Sequence, residues 1–326
     1  MRLALLADIH GNLAALEAVL ADADAQGAEV IVAAGDHLAT GPRPVQAFAL
    51  LQERRAVLIR GNNDQDLVDI RAGRAPASWQ HGVHFGPLRW SAAQLTVELV
   101  NDVASLAEQR VLRFDATPPI RVVHGSPLDV REPVLPVTGA LVAEVAHVTG
   151  LPSTRSLPRT LAGVMADVPE PVLVCGHTHL QWCACVDGRL AVCPGSVGVP
   201  TNASGDANYA LLTLLEGRWQ AELRRVPYDR ERVLQDYHDT GLYHDGGPLA
   251  RAFLADTLSG QCLCIAFFWH ARHLARQLGL SPDGWLPDHV WLEAEASFDR
   301  SRARATYMPA YERLARALER AGQSCE

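Results

Sequence analysis

The first sixty residues alternate short apolar runs with segments of helical periodicity. Apolar runs at 2–7, 30–34 and 56–59 predict three strands, and helices are expected to begin near Asn12 and Pro44. Strand, helix and strand at this spacing predict right-handed crossovers and a parallel sheet. Because ligands of such sheets bind beyond the carboxyl ends of the strands, polar residues at those ends are the first candidates for function.

Polar side chains follow each of these strands, and two later apolar runs, 120–123 and 171–175, end in the same way. The second of them runs into Gly176-His177-Thr178-His179. Two imidazoles two residues apart at a strand end are a common way to hold a divalent metal, but alone they equally fit a solvated surface turn. Taken together, the strand-end candidates are Asp8, His10, Asp36, Asn62, His124, His177 and His179.

This set contains two carboxylates, one amide and four imidazoles, which is too many ligands for one metal ion and suits two. Mixed oxygen and nitrogen ligands without thiolate favour Mn, Fe, Zn, Co or Ni. Two such ions about 3.5–4 Å apart can generate a hydroxide at neutral pH and stabilise an in-line displacement at phosphorus. The sequence therefore predicts two divalent metal ions with a shared carboxylate.

The composition excludes several other classes of protein. The chain has 326 residues and a net charge of -8, so general attraction to nucleic acid or to an acidic membrane is not expected. Mean hydropathy is +0.01, and no apolar run approaches the roughly 18 residues of a membrane span. The start of the chain shows no small-residue cleavage site after an apolar stretch, so we expect a cytoplasmic protein.

Seven cysteines lie mostly within apolar runs, and no CxxC pair occurs. We expect them to be reduced and buried; a disulfide or zinc site at Cys183 and Cys185, or at Cys262 and Cys264, is the less favoured alternative.

The second half of the chain changes character twice. Period-two alternation over 181–226 predicts antiparallel strands, and a charged helix is expected over 228–239. Residues 1–240 are thus expected to form one domain, and 241–326 a helical C-terminal extension. The extension is rich in aromatic residues, which predicts that it packs on the core or forms a homodimer contact; they are Phe267, Phe268, Trp269, Trp285 and Trp291.

Five groups of residues, in order along the chain, carry a family resemblance. They are Asp8-x-His10, Gly35-Asp36, Gly61-Asn62-x-Asp64, His124-Gly125 and Gly176-His177-x-His179. This pattern resembles the ordered motifs of the calcineurin-like metallophosphoesterases over about residues 1–226. Residues 8–13, 41–44, Trp90 and 194–198 resemble the bacterial branch that includes small phosphodiesterases and dinucleoside tetraphosphate hydrolases.

The resemblance implies a fold, a set of ligand roles and a reaction. The fold is a mixed two-sheet β sandwich flanked by helices, with α/β/β/α layers. The reaction is attack of a two-metal-bound hydroxide on a phosphate ester or anhydride. The implied ligands are Asp8, His10 and His179 for the first metal, Asn62, His124 and His177 for the second, and Asp36 as the bridge.

One position departs from the family pattern. Many members have a histidine after the Asn of the third motif, whereas this chain has Asn63, which cannot donate a proton at neutral pH. His37 could supply that proton or could be a buried residue. A missing acid costs least when the leaving group is a stable anion, which favours phosphodiesters and phosphoanhydrides.

The expected substrate is a small, nucleotide-like phosphorylated molecule. A protein or monoester phosphatase, or a catalytically weakened metal-binding scaffold, remains the alternative.

Overall fold

A computed structural model describes residues 1–136, 159–201, 204–261, 263–282 and 285–322. The strands in these ranges are β1 (Arg2–Leu6), β2 (Val30–Ala33), β3 (Val57–Leu58), β4 (Gln109–Leu112), β5 (Ile120–Val123), β6 (Val172–Val174), β7 (Gln181–Val186), β8 (Arg189–Pro194), β9 (Ala207–Leu215) and β10 (Arg218–Val226). They form two five-stranded sheets, ordered β10-β9-β1-β2-β3 and β4-β5-β6-β8-β7.

The helices of the first 240 residues lie between and after these strands. They are α1 (Leu13–Ala25), α2 (Pro44–Glu53), α3 (Asn62–Arg71), α4 (Ala77–His81), a 3₁₀ turn (Val83–Phe85), α5 (Gly86–Gln94), α6 (Val97–Ser105), α7 (Leu161–Met165) and α8 (Arg230–Asp239).

The remaining helices belong to the C-terminal part of the chain. They are α9 (Leu242–Asp245), α10 (Gly247–Ser259), α11 (Leu263–Gln277), α12 (Asp288–Ser297) and α13 (Arg300–Gly322). None of the helices in the described part of the chain is long and apolar enough to cross a membrane.

Strand β1 is the centre of the first sheet and is apolar on both faces. It pairs in parallel with β2 and antiparallel with β9. Leu3 and Leu5 face the second sheet, while Ala4 and Leu6 face the helices. A strand covered on both sides reads as a continuous apolar run, which is why 2–7 shows no alternation.

Three apolar clusters define the layers. The cluster between the sheets joins residues such as Leu5 and Val174, and the outer face of the first sheet packs on α1 and α2. The outer face of the second sheet packs on α7 and α13. The mixed two-sheet sandwich with flanking helices, α/β/β/α, is therefore confirmed.

Some local details differ from the sequence expectations. Gln109–Leu112 is an edge strand that its polar residues concealed. Ser91, which follows Trp90 and has the residue type of a helix cap, lies inside α5 because that helix begins at Gly86; its hydroxyl accepts a hydrogen bond from the N–H of Thr40. The sequence also indicates helices within 128–169; α7 (Leu161–Met165) is one of them, and residues 137–158 lie outside the described ranges.

The C-terminal extension packs on the core at two separate places. Leu242 and Leu254 share a cluster with Ala14 and Trp90 of the first domain. Leu314, on α13, is buried in the cluster that covers the second sheet. The extension is thus held against the core, as its aromatic content predicts, and the boundary at residue 240 remains a prediction.

No disulfide joins the five cysteines that lie within the described ranges. Cys175, Cys193 and Cys264 are buried, whereas Cys183 is half-buried and Cys185 is exposed, so the expectation of burial is wrong for Cys185.

Candidate metal centre

The loops at the carboxyl ends of the strands adopt a strained backbone. Five of the seven predicted ligands have positive φ angles, which cost a non-glycine residue roughly 1–2 kcal/mol each. Strain of this kind persists where the surrounding structure imposes it, and it clusters at functional sites. The five residues are Asp8 (φ 53°), His10 (φ 49°), Asp36 (φ 55°), His177 (φ 66°) and His179 (φ 57°).

Two groups of three possible ligands form where these loops meet. Asp8, His10 and His179 make the first group, and Asp8, Asp36 and His124 make the second. Within each group the ligand atoms lie within 4.8 Å of one another. Asp8 belongs to both groups, so the two are contiguous.

Each of the four predicted histidine ligands directs one ring nitrogen at a main-chain carbonyl. A carbonyl can only accept a hydrogen bond, so that nitrogen carries the proton, and the other nitrogen presents a lone pair whenever the ring is neutral. Metal-binding histidines are commonly oriented in this way. The contacts are His10 Nδ1 to Ala39 O (3.0 Å), His124 Nδ1 to Ala34 O (2.7 Å), His177 Nε2 to Arg131 O (3.1 Å) and His179 Nδ1 to Val199 O (3.1 Å).

The first group contains an arrangement that calls for a cation. His10 Nε2 and His179 Nε2 are 3.1 Å apart, and in these tautomers both are lone-pair atoms. Burial lowers the pKa of His10 and lowers that of His179 to about 3, so neither ring takes up a proton readily. The Oδ1 atom of Asp8 lies 3.6 Å from His179 Nε2 and is buried with no hydrogen-bond partner. These residues fit a divalent metal ion.

The second group surrounds His124 Nε2. Asn62 Oδ1 lies 3.0 Å from this nitrogen and Asp36 Oδ2 lies 3.3 Å from it. Asp36 Oδ2 is also 4.0 Å from His10 Nε2, so this carboxylate faces both groups. His177 is less close: its ring centre lies 5.3 Å from that of His124, and it joins neither group of three.

The two buried carboxylates have opposite proton affinities. Burial raises the pKa of Asp8 well above its usual range, although the charge of His124 opposes this. Burial would also raise the pKa of Asp36, but the charge of His124 and hydrogen bonds from His124 and Asn63 hold it well below that range. Burial would lower the pKa of His124, yet Asp36 and Asp8 raise it to about 10. Positive charge is therefore stabilised strongly beside both carboxylates.

Asn63 and His37 are both held by hydrogen bonds inside the protein. Asn63 turns inward, and its side-chain amide donates to Asp36 Oδ2 at 2.6 Å. His37 is fully buried beside Phe48, and its Nε2 lies 2.8 Å from the carbonyl of Ile59. Of the two alternatives for His37, the geometry matches the buried structural residue.

Two further residues hold the loops, and the sequence analysis assigned them no role. Asp64 accepts hydrogen bonds from the backbone N–H groups of Asp36, His37 and Gly61, each at 2.9 Å. The hydroxyl of Ser196 donates to the carbonyl of Asp8 at 2.7 Å. Both lie inside the motifs that carry the family resemblance, which is the signal that could have identified them.

Glycine is required beside Asp36. A Cβ atom on Gly61 would lie 2.1 Å from Asp36 Oδ1, and one on Gly35, whose φ is 93°, would lie 2.6 Å from His124 Nδ1. The third motif therefore approaches the carboxylate more closely than any side chain at position 61 allows.

The sandwich and the strand-end cluster define an α/β protein with a candidate metal centre. The family model described as the calcineurin-like phosphoesterase superfamily domain matches residues 1–217, and the chain belongs to this family. Metal dependence is a property of the family, and Asp8, His10, Asp36 and His124 are candidate ligands here.

Two solved structures share the fold. A metallophosphoesterase from Sphaerobacter thermophilus is 23% identical, with a TM-score of 0.60, and the match covers 80% of this chain and 100% of that one. A hypothetical protein from Pyrococcus horikoshii OT3 is 18% identical, with a TM-score of 0.58, and the match covers 79% of this chain and 98% of that one. No curated protein matches the sequence.

Proposed function

We propose that this protein is a metal-dependent phosphohydrolase that cleaves phosphodiester or phosphoanhydride bonds. One observation carries the proposal most directly: the 3.1 Å approach of two lone-pair nitrogens, His10 Nε2 and His179 Nε2, beside the unpartnered Oδ1 of Asp8. Such an approach is unfavourable without a positive charge to share.

The seven strand-end residues would hold two divalent ions, drawn from Mn, Fe, Zn, Co and Ni. In this proposal Asp8, His10 and His179 serve one ion, and Asn62, His124 and His177 serve the other. Asp36 serves both, which its position between His10 and His124 supports. When bound, such ions stabilise the negative charge of phosphoryl transfer and make a water-derived nucleophile accessible near neutral pH.

The residues around Asp36 explain the proposed bond class. Asn63 orients the carboxylate but carries no transferable proton, and His37 is enclosed by protein. A leaving group must then depart as a stable anion, which aryl diesters and phosphoanhydrides permit and alkyl monoesters do not. We further propose a small, nucleotide-like substrate, a cytoplasmic location and a homodimer formed through the C-terminal extension.

The test combines metal binding with turnover. Protein stripped with a chelator and reconstituted with Mn²⁺ is expected to contain two ions by elemental analysis, to melt at a higher temperature and to hydrolyse bis(4-nitrophenyl) phosphate. The His179→Ala variant should lose ion content and activity together. Two bound ions without turnover of any diester or anhydride would instead favour a scaffold, and at most one ion would contradict the binuclear centre.

A further inference from the structure

The loop after β5 is fixed by its own hydrogen bonds. The hydroxyl of Ser126 accepts from the N–H groups of Leu128 (3.2 Å) and Asp129 (3.1 Å). Asp129 Oδ1 accepts from the N–H of Arg131 at 2.8 Å. These contacts set the position of the Arg131 backbone without using its side chain.

Arg131 contacts a candidate metal ligand through its main chain. Its carbonyl accepts the hydrogen bond from His177 Nε2 at 3.1 Å. Its guanidinium forms an ion pair with Asp66, with Nη2 2.5 Å from Oδ1. Asp66 lies on α3, four residues after Asn62, which places it about 6 Å further along the helix axis. The guanidinium is therefore paired with α3 about one helical turn beyond the candidate ligand Asn62.

The two partners in this ion pair differ in exposure. The Arg131 side chain is 49% exposed, whereas that of Asp66 is 8% exposed. One side of the guanidinium thus faces solvent while the carboxylate is enclosed. Arg131 Nη1 and Nη2 donate to Asp66 Oδ2 (3.4 Å) and Oδ1 (2.5 Å), so one edge of the guanidinium is occupied by the carboxylate. The exposed remainder of the guanidinium is available to an anion that approaches from solvent.

The charge of the protein favours such a group. The net charge is -8, and the chain contains no lysine, so every permanently charged cationic side chain is an arginine. Asp66 lies near the centre and adds negative charge there. A guanidinium matches the geometry of a phosphate group through two parallel hydrogen bonds.

We propose that Arg131 binds a phosphate group of the substrate adjacent to the phosphate that is cleaved. The displacement of the guanidinium from the candidate ligands argues for a neighbouring phosphate. Arg131 is then a specificity-determining residue that favours phosphoanhydrides over esters with one phosphate. The inference rests on the proposed phosphohydrolase function and narrows its substrate class.

The experiment compares two probes with Mn²⁺-loaded full-length protein. ADP has a phosphate beside the one that is cleaved, and bis(4-nitrophenyl) phosphate has none. Arg131→Gln should raise the KM for ADP about 10- to 100-fold more than the KM for the diester, the value expected for a hydrogen bond to a charged group. Arg110→Gln, an exposed arginine on β4, is the matched control and should change neither value.

A second set of variants separates recognition from a purely structural role. Asp66→Asn removes the carboxylate and leaves Arg131 in place, so the KM for ADP should not rise. The double variant Asp66→Asn/Arg131→Gln leaves no buried unpaired charge, and it should behave like Arg131→Gln. The inference would be overturned if Arg131→Gln raised the KM of both probes equally. It would also be overturned if Asp66→Asn raised the KM for ADP as much as Arg131→Gln does.

Failure of the proposed function gives a different result. If the wild-type protein hydrolyses neither probe, the function is wrong, and calorimetric titration with ADP still tests Arg131. Weaker ADP binding by at least tenfold in Arg131→Gln would support a phosphate contact, and unchanged binding would refute it.

Discussion

Asn63 donates two hydrogen bonds to Asp36, from its backbone N–H to Oδ1 at 2.8 Å and from its side-chain amide to Oδ2 at 2.6 Å. The position at which many relatives carry a histidine is therefore used here to fix a carboxylate. Asn63 acts through Asp36, which faces both groups of candidate ligands. Changes at Asp36 and at Asn63 are therefore expected to reduce activity by different amounts.

Asp36→Asn should reduce kcat/KM for bis(4-nitrophenyl) phosphate to background, because it removes negative charge from both groups of candidate ligands. Asn63→Ala should lower the same kcat/KM by about 10- to 100-fold, which corresponds to the loss of one hydrogen bond to a charged group. Steady-state kinetics measure both losses, and metal analysis should show depleted ions only in Asp36→Asn. Equal losses would mean that position 63 takes part directly in the chemistry.

Asp256 predicts a pH dependence of stability within the C-terminal extension. Its Oδ1 accepts the N–H of Cys264 at 2.8 Å, and its Oδ2 is buried with no hydrogen-bond partner. Burial raises the pKa of Asp256 from 3.8 to about 7. The pKa of Asp256 is higher in the folded protein than in the unfolded chain. Its contribution to the free energy of unfolding is therefore fully present below about pH 4 and is lost as pH rises to about 7.

Asp256→Asn keeps an acceptor for the N–H of Cys264 and removes the charge. The variant should therefore be more stable than wild type at pH 8 by up to about 4 kcal/mol, and the difference should vanish near pH 4. Urea unfolding at both pH values measures it. Asp115→Asn changes an exposed carboxylate and serves as the control. A difference that does not vary with pH would contradict the prediction.

Leu314 tests the contact between α13 and the second sheet. The residue is 2% exposed and packs in the same cluster as Trp182. Leu314→Ala should lower the free energy of unfolding by about 2–5 kcal/mol. Glu312→Ala, on an exposed position of the same helix, should change it by less than about 0.5 kcal/mol. Similar effects of the two changes would indicate that α13 does not stabilise the core.

The sequence predicted the fold well where local periodicity and strand-end chemistry agree. The parallel strands β1, β2 and β3 and the helix Pro44–Glu53 follow directly from apolar spacing. Candidate ligands at the strand ends meet in space because the carboxyl ends of neighbouring parallel strands share an edge.

Other features depend on contacts that are distant in sequence. Ser91 looks like a helix cap locally, but it bonds to Thr40, 51 positions away. The burial of His37 and the inward turn of Asn63 result from how two strand-end loops pack, which residue type does not reveal. The docking of α13 on β7 joins segments more than a hundred residues apart, and no local pattern encodes it.

The final prediction concerns the dependence of rate on the leaving group. Asn63 carries no transferable proton and His37 is fully buried, so in the proposed reaction the departing oxygen carries negative charge. The rate should then fall steeply as the pKa of the leaving group rises, and aryl diesters and phosphoanhydrides should react much faster than phosphoserine. A series of substituted aryl phosphodiesters, followed by single-turnover kinetics, gives the slope.

Two variants decide which residue controls this slope. Asn63→His should flatten it and should help poor leaving groups most, by up to about 10²–10⁴-fold if the ring reaches the leaving oxygen. His37→Ala should lower stability by about 1–3 kcal/mol, because it leaves the carbonyl of Ile59 unpaired, and should leave the slope unchanged. A steeper slope in His37→Ala would identify His37 as the acid. A contrary result would be a wild-type protein that cleaves phosphoserine as fast as an aryl diester, with His37→Ala having no effect. That result would show that the leaving group departs without a proton from His37 and that its stability as an anion does not limit the rate.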